Sequence, residues 1–270
     1  MSGEEFKKVD WENENVNNLF TNLEKIVDGG SRAVLDGQLM KELSTALVDN
    51  HESYDHWDFL KERGNVTGKE KLLDFGCGTG PHRTRVEQMG YQWTGIDIGD
   101  SQEALSRNKA LEVIIYDGRR IPIKDESFDI VLSTQTFEHV QDLEITFSEI
   151  SRIMKKGGQL IGSTSHSELY HSRSTFNYSP YGFKILVEKY GMKLEKIHPG
   201  IDGLTIGIRT LLRHLGYQKP VEIANKMFND QSPLNIKLNE IGKRRGYNTN
   251  EINCLKLQFC GQFRFNVIKL

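Results

Sequence analysis

Glycines and carboxylates stand at the ends of three apolar segments in the first half of the chain. The first segment runs into Gly76-Cys77-Gly78-Thr79-Gly80, where the missing Cβ atoms let a ligand approach the backbone closely. Asp97 ends the second segment, and a carboxylate there can accept hydrogen bonds from both ribose hydroxyls of an adenosine group. Asp117 ends the third segment and is placed to accept a hydrogen bond from an adenine amino group. The three positions together predict a site for an adenosine-containing ligand.

The glycine spacing leaves two kinds of ligand open. Dinucleotide sites use G-x-G-x-x-G, whereas this turn reads G-x-G-x-G with Pro81 in the sixth position. Proline suits the start of a helix, so we predict a helix from Pro81. An NAD(P)-dependent oxidoreductase remains the alternative class, and a purely structural turn uses the same residues.

His139 is the first candidate for catalysis. It lies in Phe137-Glu138-His139-Val140, shortly after the fourth predicted strand, and an imidazole can act as a general base near neutral pH. The competing interpretation is that His139 only forms hydrogen bonds with neighbouring loops. Glu138 is expected to begin a helix and to face away from the site.

The loop from Ser163 to Tyr181 is rich in aromatic and basic residues and follows the fifth predicted strand. Long loops of this kind are more often functional than idle. Arg173 or His171 could bind a carboxylate or phosphate group. The predicted substrate-binding residues are His166, Tyr170, His171, Arg173 and Tyr178.

Alternating strands and helices support these residues. The strands are predicted at 71–75, 92–97, 112–116, 128–133, 159–164 and 193–197, and the helices at 81–89, 101–110, 143–154 and 181–190. This alternation predicts a parallel sheet with helices on both faces. The stretch 255–270 is interpreted as a strand bent at Gly261.

The remaining segments are interpreted as additions to one enlarged domain. Residues 1–68 form a helical N-terminal extension, and residues 69–270 form the cofactor domain. Substrate-side insertions cover about 165–182 and 200–253, with helices at 204–215 and 221–228. An apolar stripe in 204–215 could serve as a lid over a lipid-like substrate, although ordinary packing explains it too.

Composition and charge exclude several functions. The net charge of −2 argues against a nucleic-acid partner, because such proteins carry basic stripes. The three cysteines and the scattered histidines show no metal-ligand spacing, so no metal is predicted. No apolar run is long enough for stable membrane insertion, and the acidic start of the chain predicts a cytoplasmic protein. A homodimer is left open.

The run from about Lys69 to Thr164 resembles the class I S-adenosylmethionine (SAM) dependent methyltransferases, of the small-molecule type that includes ubiquinone-pathway enzymes. Leu72–Gly80, Gly95–Asp97, Asp117–Gly118, Phe128–Ser133 and Ile150–Ile161 match five motifs in order. The resemblance implies a Rossmann-like, doubly wound, mostly parallel seven-stranded sheet with an antiparallel last strand. It also implies cofactor-binding roles for Asp74, Gly76, Cys77, Gly78, Asp97, Ile98, Asp117, Gly118, Ser133 and Thr134.

The expected reaction is therefore methyl transfer from SAM, leaving S-adenosyl-L-homocysteine, to a small-molecule acceptor. The first hypothesis is metal-independent O-methylation of a polar acceptor such as a sugar, nucleotide-sugar or glycan-pathway intermediate. The alternative acceptor is a quinone, a lipid-like molecule or another small metabolite, methylated on carbon or nitrogen. A SAM-binding protein without catalytic activity is the remaining alternative.

Overall fold

Seven strands form one mixed sheet in the computed structural model of this protein. Their order across the sheet is β3-β2-β1-β4-β5-β7-β6. The strand bounds are β1 Lys71–Phe75, β2 Gln92–Ile98, β3 Val113–Tyr116, β4 Phe128–Thr134, β5 Met154–Ser165, β6 Met192–Pro199 and β7 Gln262–Lys269. The structure describes residues 35–48, 54–64, 66–214 and 232–270, and the isolated positions 22 and 25.

The first five strands are parallel, so their carboxyl ends meet at one edge of the sheet. Strand β1 pairs with β2 on one side and with β4 on the other. Strand β3 pairs with β2, and β5 pairs with β4. The glycine turn, Asp97 and Asp117 therefore lie side by side, as expected for ligand binding at the carboxyl edge of an open sheet.

The last strand runs against its neighbour. The N–H of Gly200, just after β6, donates to the carbonyl of Gln262 at the start of β7. The N–H of Leu270, just after β7, donates to the carbonyl of Gly191 before β6. The end of one strand thus meets the start of the other, which is antiparallel pairing. The predicted fold class, a Rossmann-like mostly parallel sheet with an antiparallel last strand, is confirmed.

The contacts divide the chain into two units. The sheet unit comprises Asp55–His166, Tyr170–His198 and Phe263–Leu270. The helical unit comprises Met1–Tyr54, Ser167–Leu169 and Pro199–Gln262. The division of the sequence at residue 68 and the insertions at 165–182 and 200–253 stay predictions.

Helices cover the sheet unit between its strands. They are α2 His56–Glu62, α3 Arg83–Gln88, α4 Gln102–Ser106, α5 Leu143–Ile153 and α6 Pro180–Lys189. Helix α3 begins at Arg83 rather than at Pro81 as predicted, because Pro81 belongs to the turn that follows the glycines. Strand β5 begins at Met154, directly after α5, and is longer than the predicted strand.

A cluster of phenylalanines forms the core of the sheet unit. Phe137, Phe147, Phe183, Phe263 and Phe265 are all fully buried. The ring of Phe137 lies 4.7 Å from that of Phe147 and 6.0 Å from that of Phe265, measured between centroids. Phe137 thereby anchors the short 3₁₀ turn Phe137–His139, which carries the candidate base.

The helical unit contains α1 Gly37–Leu43, α7 Gly203–His214, α8 Pro233–Arg244 and α9 Thr249–Leu257. The prediction of one strand over 255–270 is wrong in its first part, because residues 255–257 end α9. That helix starts with a capping box between Asn248 and Glu251 and is buried along most of its length, which hides the amphipathic period. Part of the helix predicted at 204–215 is α7, and the one predicted at 221–228 lies outside the described residues. Among the described residues, no helix has the length and apolar character that a membrane span requires.

Candidate active site

The glycine turn after β1 is closed by backbone constraints that only glycine satisfies. Gly76 has φ +73°, and a Cβ there would lie 2.2 Å from Cγ2 of Thr136. Gly80 has φ +79°, and its Cβ would lie 2.4 Å from a methyl carbon of Leu111. The N–H groups of Gly76 and Cys77 both donate to the carbonyl of Ile96, at 2.9 and 3.1 Å. The turn is thus fixed against β2 on one side and Thr136 on the other.

Cys77 packs inside this turn. The residue is buried, and a Cβ added at Gly95 would lie 2.9 Å from its sulfur atom. Burial raises the pKa of the Cys77 thiol to about 12, with Asp74 and Asp97 adding to the effect. A thiol that stays protonated is a poor nucleophile, so Cys77 serves the packing of the turn.

Asp74 is buried beneath the turn and is held by aromatic residues. Its Oδ2 accepts a hydrogen bond from Nε1 of Trp93 at 3.1 Å and lies 3.6 Å from Nδ1 of His82. These contacts hold the carboxylate of Asp74 beneath the turn. His82, in the turn before α3, thus faces this buried carboxylate.

The two arginines of helix α3 lie on tryptophan rings. The guanidinium carbon of Arg85 lies 4.1 Å from the ring centroid of Trp57, and that of Arg83 lies 5.5 Å from that of Trp93. Cation–π contacts of this kind stabilise a cation at a surface. The basic character of the helix therefore has a packing explanation within the sheet unit.

Asp97, at the end of β2, is almost fully buried. Its Oδ1 accepts from the N–H of Ile98 at 2.7 Å, and its Oδ2 accepts from the N–H of Gly78 at 2.9 Å. Nη2 of Arg107 also donates to Oδ2, at 2.7 Å. Burial raises the pKa of Asp97 above its usual value, and the three donors act in the opposite direction.

Asp117, at the end of β3, is exposed. Its Oδ1 accepts from the N–H groups of Arg119 and Arg120, at 2.8 and 2.9 Å. These backbone hydrogen bonds, that of Arg119 first, lower the pKa of Asp117, so the carboxylate is ionised at neutral pH. The adenine-binding role of Asp117 stays a prediction, and Gly118 follows with φ +78°.

The end of β4 offers small polar side chains to the same edge. Ser133 is fully buried, and its Oγ has no hydrogen-bond partner among the described residues. Thr134 is half-buried, and its carbonyl accepts from Oγ1 of Thr136 at 3.2 Å. A glycine cradle, two strand-end carboxylates and an unsatisfied buried hydroxyl are features that fit a bound SAM molecule.

Glu138 lies inside the protein, and the prediction that it begins a helix and faces away is wrong. It belongs to the 3₁₀ turn and is fully buried. Its carboxylate accepts from the hydroxyls of Thr164 and Ser165, both at 3.1 Å. The burial of Phe137 fixes the direction of the turn, which carries Glu138 inward.

Three side chains at this edge come together from two distant parts of the chain. The rings of His139 and His171 meet edge to face, with centroids 5.1 Å apart. One side-chain ligand atom from each of Glu138, His139 and His171 lies within 4.8 Å of the others. Two imidazoles and a carboxylate are donors that also suit a divalent metal ion, which spacing along the sequence did not suggest.

The loop after β5 is tied to the turn after β4, and this brings His171 to His139. The N–H of Thr175 donates to the carbonyl of Glu138 at 2.6 Å, and Oγ1 of Thr175 donates to the carbonyl of Val140 at 2.7 Å. The hydroxyl of Tyr178 donates to the carbonyl of Phe137 at 2.9 Å.

Of the other predicted substrate residues, two stabilise this loop from inside and two lie exposed on it. Tyr178 is buried, and its carbonyl lies 2.9 Å from Nδ1 of His166, so these two side chains support the loop. Tyr170 is 74% exposed. Arg173 is exposed and reaches Oδ2 of Asp100 at 3.5 Å. The structure thus brings His139 and His171 together with Glu138, which the sequence did not indicate.

The fold is Rossmann-like, and comparisons with known proteins show what this chain is similar to. Residues 73–162 match the family model described as a methyltransferase domain. The ubiquinone biosynthesis O-methyltransferase of Pseudomonas fluorescens is 33% identical over 144 residues, which cover 51% of this chain and 58% of that protein. The chain spans about half the length of the curated relatives it matches.

Solved structures with low sequence identity share the fold. A putative sarcosine dimethylglycine methyltransferase from Galdieria sulphuraria aligns with a TM-score of 0.53 at 19% identity, covering 79% of this chain and 82% of that one. The [4+2]-cyclase SpnF aligns with a TM-score of 0.51 at 16% identity, covering 86% and 95%. Residues 73–162 are therefore similar to a methyltransferase domain, and the Rossmann-like sheet agrees with that similarity. These matches favour this class over the oxidoreductase alternative.

Proposed function

We propose that this protein transfers the methyl group of SAM to a hydroxyl oxygen of a small aromatic molecule. The observation that carries the proposal is the group formed by Glu138, His139 and His171 beside the cofactor turn. Thr136 joins the two parts, since its Oγ1 donates to the carbonyl of Phe75 at 3.3 Å and its methyl group faces Gly76. Glu138, the first of these three side chains, therefore lies two residues after Thr136, which contacts the cofactor turn.

The geometry supports a direct displacement assisted by a base. When bound, SAM supplies an electrophilic methyl group on a sulfonium, and the reaction needs the acceptor oxygen in line with it. With SAM bound, a ring nitrogen of His139 would take the proton of the acceptor hydroxyl while that oxygen takes the methyl group, and S-adenosyl-L-homocysteine would be left. Glu138 stabilises the imidazolium that forms, and His171 holds the ring of His139 by its edge-to-face contact.

The loop that carries His171 favours an aromatic acceptor. Tyr170 and Phe176 are exposed on it, by 74% and 41%, and aromatic side chains pack well against aromatic rings. A phenolic hydroxyl titrates near pH ~10, so an imidazole deprotonates it more readily than an alcohol. The names of the curated relatives agree with the quinone alternative, whereas nothing in the comparisons favours the sugar or glycan acceptor expected first.

The test is an acceptor screen with methyl-deuterated SAM and mass spectrometry of the products. Vicinal phenols form one arm, and monosaccharides and nucleotide-sugars form the other. We expect a label on a phenolic oxygen. A label confined to carbon, nitrogen or a sugar hydroxyl contradicts the proposal.

Variants separate the base from the cofactor site. His139→Gln is expected to lower turnover about 10²- to 10⁴-fold, the usual contribution of a general base, while SAM affinity stays the same. Lys193→Ala is the matched control, because its exposed pair with Glu195 lies on β6. Turnover of His139→Gln equal to that of the control refutes the assignment.

A chelator distinguishes two ways of activating the hydroxyl. A reaction that proceeds unchanged in EDTA supports proton transfer to His139 alone, in agreement with the metal-independent reaction expected from the sequence. A reaction that stops in EDTA and recovers with Mg²⁺ or Zn²⁺ assigns the three side chains to a metal ion that binds the acceptor oxygen. Either result keeps the hydroxyl acceptor and changes only the means of its activation.

A further inference from the structure

Arg107 donates a hydrogen bond to Asp97, the carboxylate that is predicted to bind the ribose of the cofactor. It follows helix α4, and its side chain is only 8% exposed. Its Nε donates to the carbonyl of Gly78 at 2.6 Å, and its Nη2 donates to Oδ2 of Asp97 at 2.7 Å. One guanidinium thus bridges the glycine turn and the acid of the next strand.

The hydrogen-bond capacity of Asp97 is nearly used up by these contacts. A carboxylate offers about four lone-pair positions. Gly78 and Arg107 take two on Oδ2, and Ile98 takes one on Oδ1. One position is left, whereas a ribose presents two hydroxyl donors.

The backbone donors cannot leave without opening the turn, whereas the arginine can. The N–H of Gly78 is part of a turn whose residues Gly76 and Cys77 are fixed by hydrogen bonds to Ile96. The N–H of Ile98 belongs to the same strand end as Asp97. The guanidinium sits on a long side chain with several rotatable bonds, so Arg107 is the donor that a second ribose hydroxyl displaces.

We propose that Arg107 competes with the ribose of SAM for Asp97 and thereby sets the affinity for the cofactor. The inference rests on Asp97 being the ribose ligand. Binding exchanges one charge-assisted hydrogen bond, Arg107 to Asp97, for one from a ribose hydroxyl. The apparent affinity is reduced by the fraction of molecules in which Asp97 is engaged by Arg107.

The first experiment measures S-adenosylhomocysteine binding by calorimetry in wild type, Arg107→Ala and the charge-matched control Lys193→Ala. We expect Arg107→Ala to bind about tenfold more tightly, the equilibrium equivalent of losing a competing hydrogen bond to a charged group, and the control to match wild type. Weaker binding in Arg107→Ala makes the arginine a ligand contact and overturns the proposal, as does unchanged binding. Arg107→Met, which removes the guanidinium donors but keeps much of the side-chain volume, gives the same comparison if the alanine variant does not fold.

The second experiment uses the 2′-deoxy form of S-adenosylhomocysteine, which presents one ribose hydroxyl. That ligand fits the remaining lone pair without displacing Arg107. Loss of the hydroxyl is therefore expected to cost little in wild type and about tenfold in Arg107→Ala. An equal loss in both proteins overturns the competition. If wild type binds neither ligand, the cofactor assignment fails and the inference fails with it, whereas binding without methyl transfer contradicts only the proposed function.

Discussion

Replacing Gly76 by alanine tests whether the glycine turn after β1 (the cofactor turn) is coupled through Thr136 to the turn after β4 that carries His139 (the acceptor turn). Two costs add at this position. A non-glycine residue in the left-handed region costs about 1–2 kcal/mol, and Gly76 has φ +73°. The new Cβ would also lie 2.2 Å from Cγ2 of Thr136, an overlap that costs about 1–3 kcal/mol to relieve. We expect Gly76→Ala to lower the free energy of unfolding by about 2–5 kcal/mol.

Gly157→Ala separates the two costs. Gly157 has φ +70°, and a Cβ there meets nothing within 4 Å, so this variant should lose only about 1–2 kcal/mol. Urea denaturation gives both values, and calorimetry with SAM shows whether the overlap also weakens cofactor binding. We expect weaker binding in Gly76→Ala and not in Gly157→Ala.

The double variant Gly76→Ala/Thr136→Gly completes a cycle. Removing the Thr136 side chain should recover about 1–3 kcal/mol of the loss, seen as a coupling energy between the two positions. If the loss in Gly76→Ala equals that in Gly157→Ala, or if the coupling is zero, the contact between the two turns does not constrain the fold and the reasoning is refuted.

Two further predictions concern titrating groups of the sheet unit. Burial, with a smaller effect from His82, lowers the pKa of His56 to about 3, so below pH ~6.5 the unfolded chain takes up a proton that the folded protein refuses. Stability should fall by up to about 2 kcal/mol from pH 7 to pH 5 through this group, and a His56→Gln variant that keeps the full slope in denaturation contradicts it. Because the pKa of Cys77 is raised to about 12, iodoacetamide at pH 8 should label Cys77 only after unfolding, and peptide mapping that finds rapid labelling of the native protein refutes its packing role.

The cofactor half of the site was predictable because its determinants are local. Each predicted cofactor residue lies at or directly after a strand whose apolar run is visible in the sequence, and parallel pairing then aligns the strand ends. The constraints on Gly76 and Gly80 come from their own φ angles as well as from neighbours. The binding roles of the cofactor residues stay predictions. The placement of the glycine turn, Asp97 and Asp117 along one edge of the sheet follows from the order of β1, β2 and β3.

The acceptor half depends on contacts between distant residues, and the sequence showed it only in part. The sequence predicts a base at His139 and a substrate-binding residue at His171, but the spacing of the two does not show that they meet. Their contact follows from hydrogen bonds that Thr175 makes to Glu138 and Val140. Glu138 was misjudged because an acidic residue after a strand usually faces solvent, whereas here the burial of Phe137 turns it inward.

A different kind of local signal was present and missed at the end of the chain. Asn248 and Glu251 form a capping box, and this spacing announces a helix start in sequence. The apolar residues that follow resemble a strand in sequence because most of the helix is buried, including its polar residues Asn253 and Lys256. Capping residues are better guides than periodicity in such a helix, since they mark where the helix begins and do not depend on what surrounds it.

The separation of the two halves bears on how the acceptor could change within this fold. Asp97 lies on β2 and Asp117 directly follows β3, while Glu138, His139 and His171 lie on the turn after β4 and the loop after β5. Thr136 is the contact on the turn after β4 that reaches the cofactor turn, through Gly76 and the carbonyl of Phe75. The loop after β5 reaches the turn through the backbone carbonyls of Phe137, Glu138 and Val140. Because those carbonyls are independent of side-chain identity, the exposed residues of the loop can vary with the acceptor while the cofactor turn and the candidate base keep their positions.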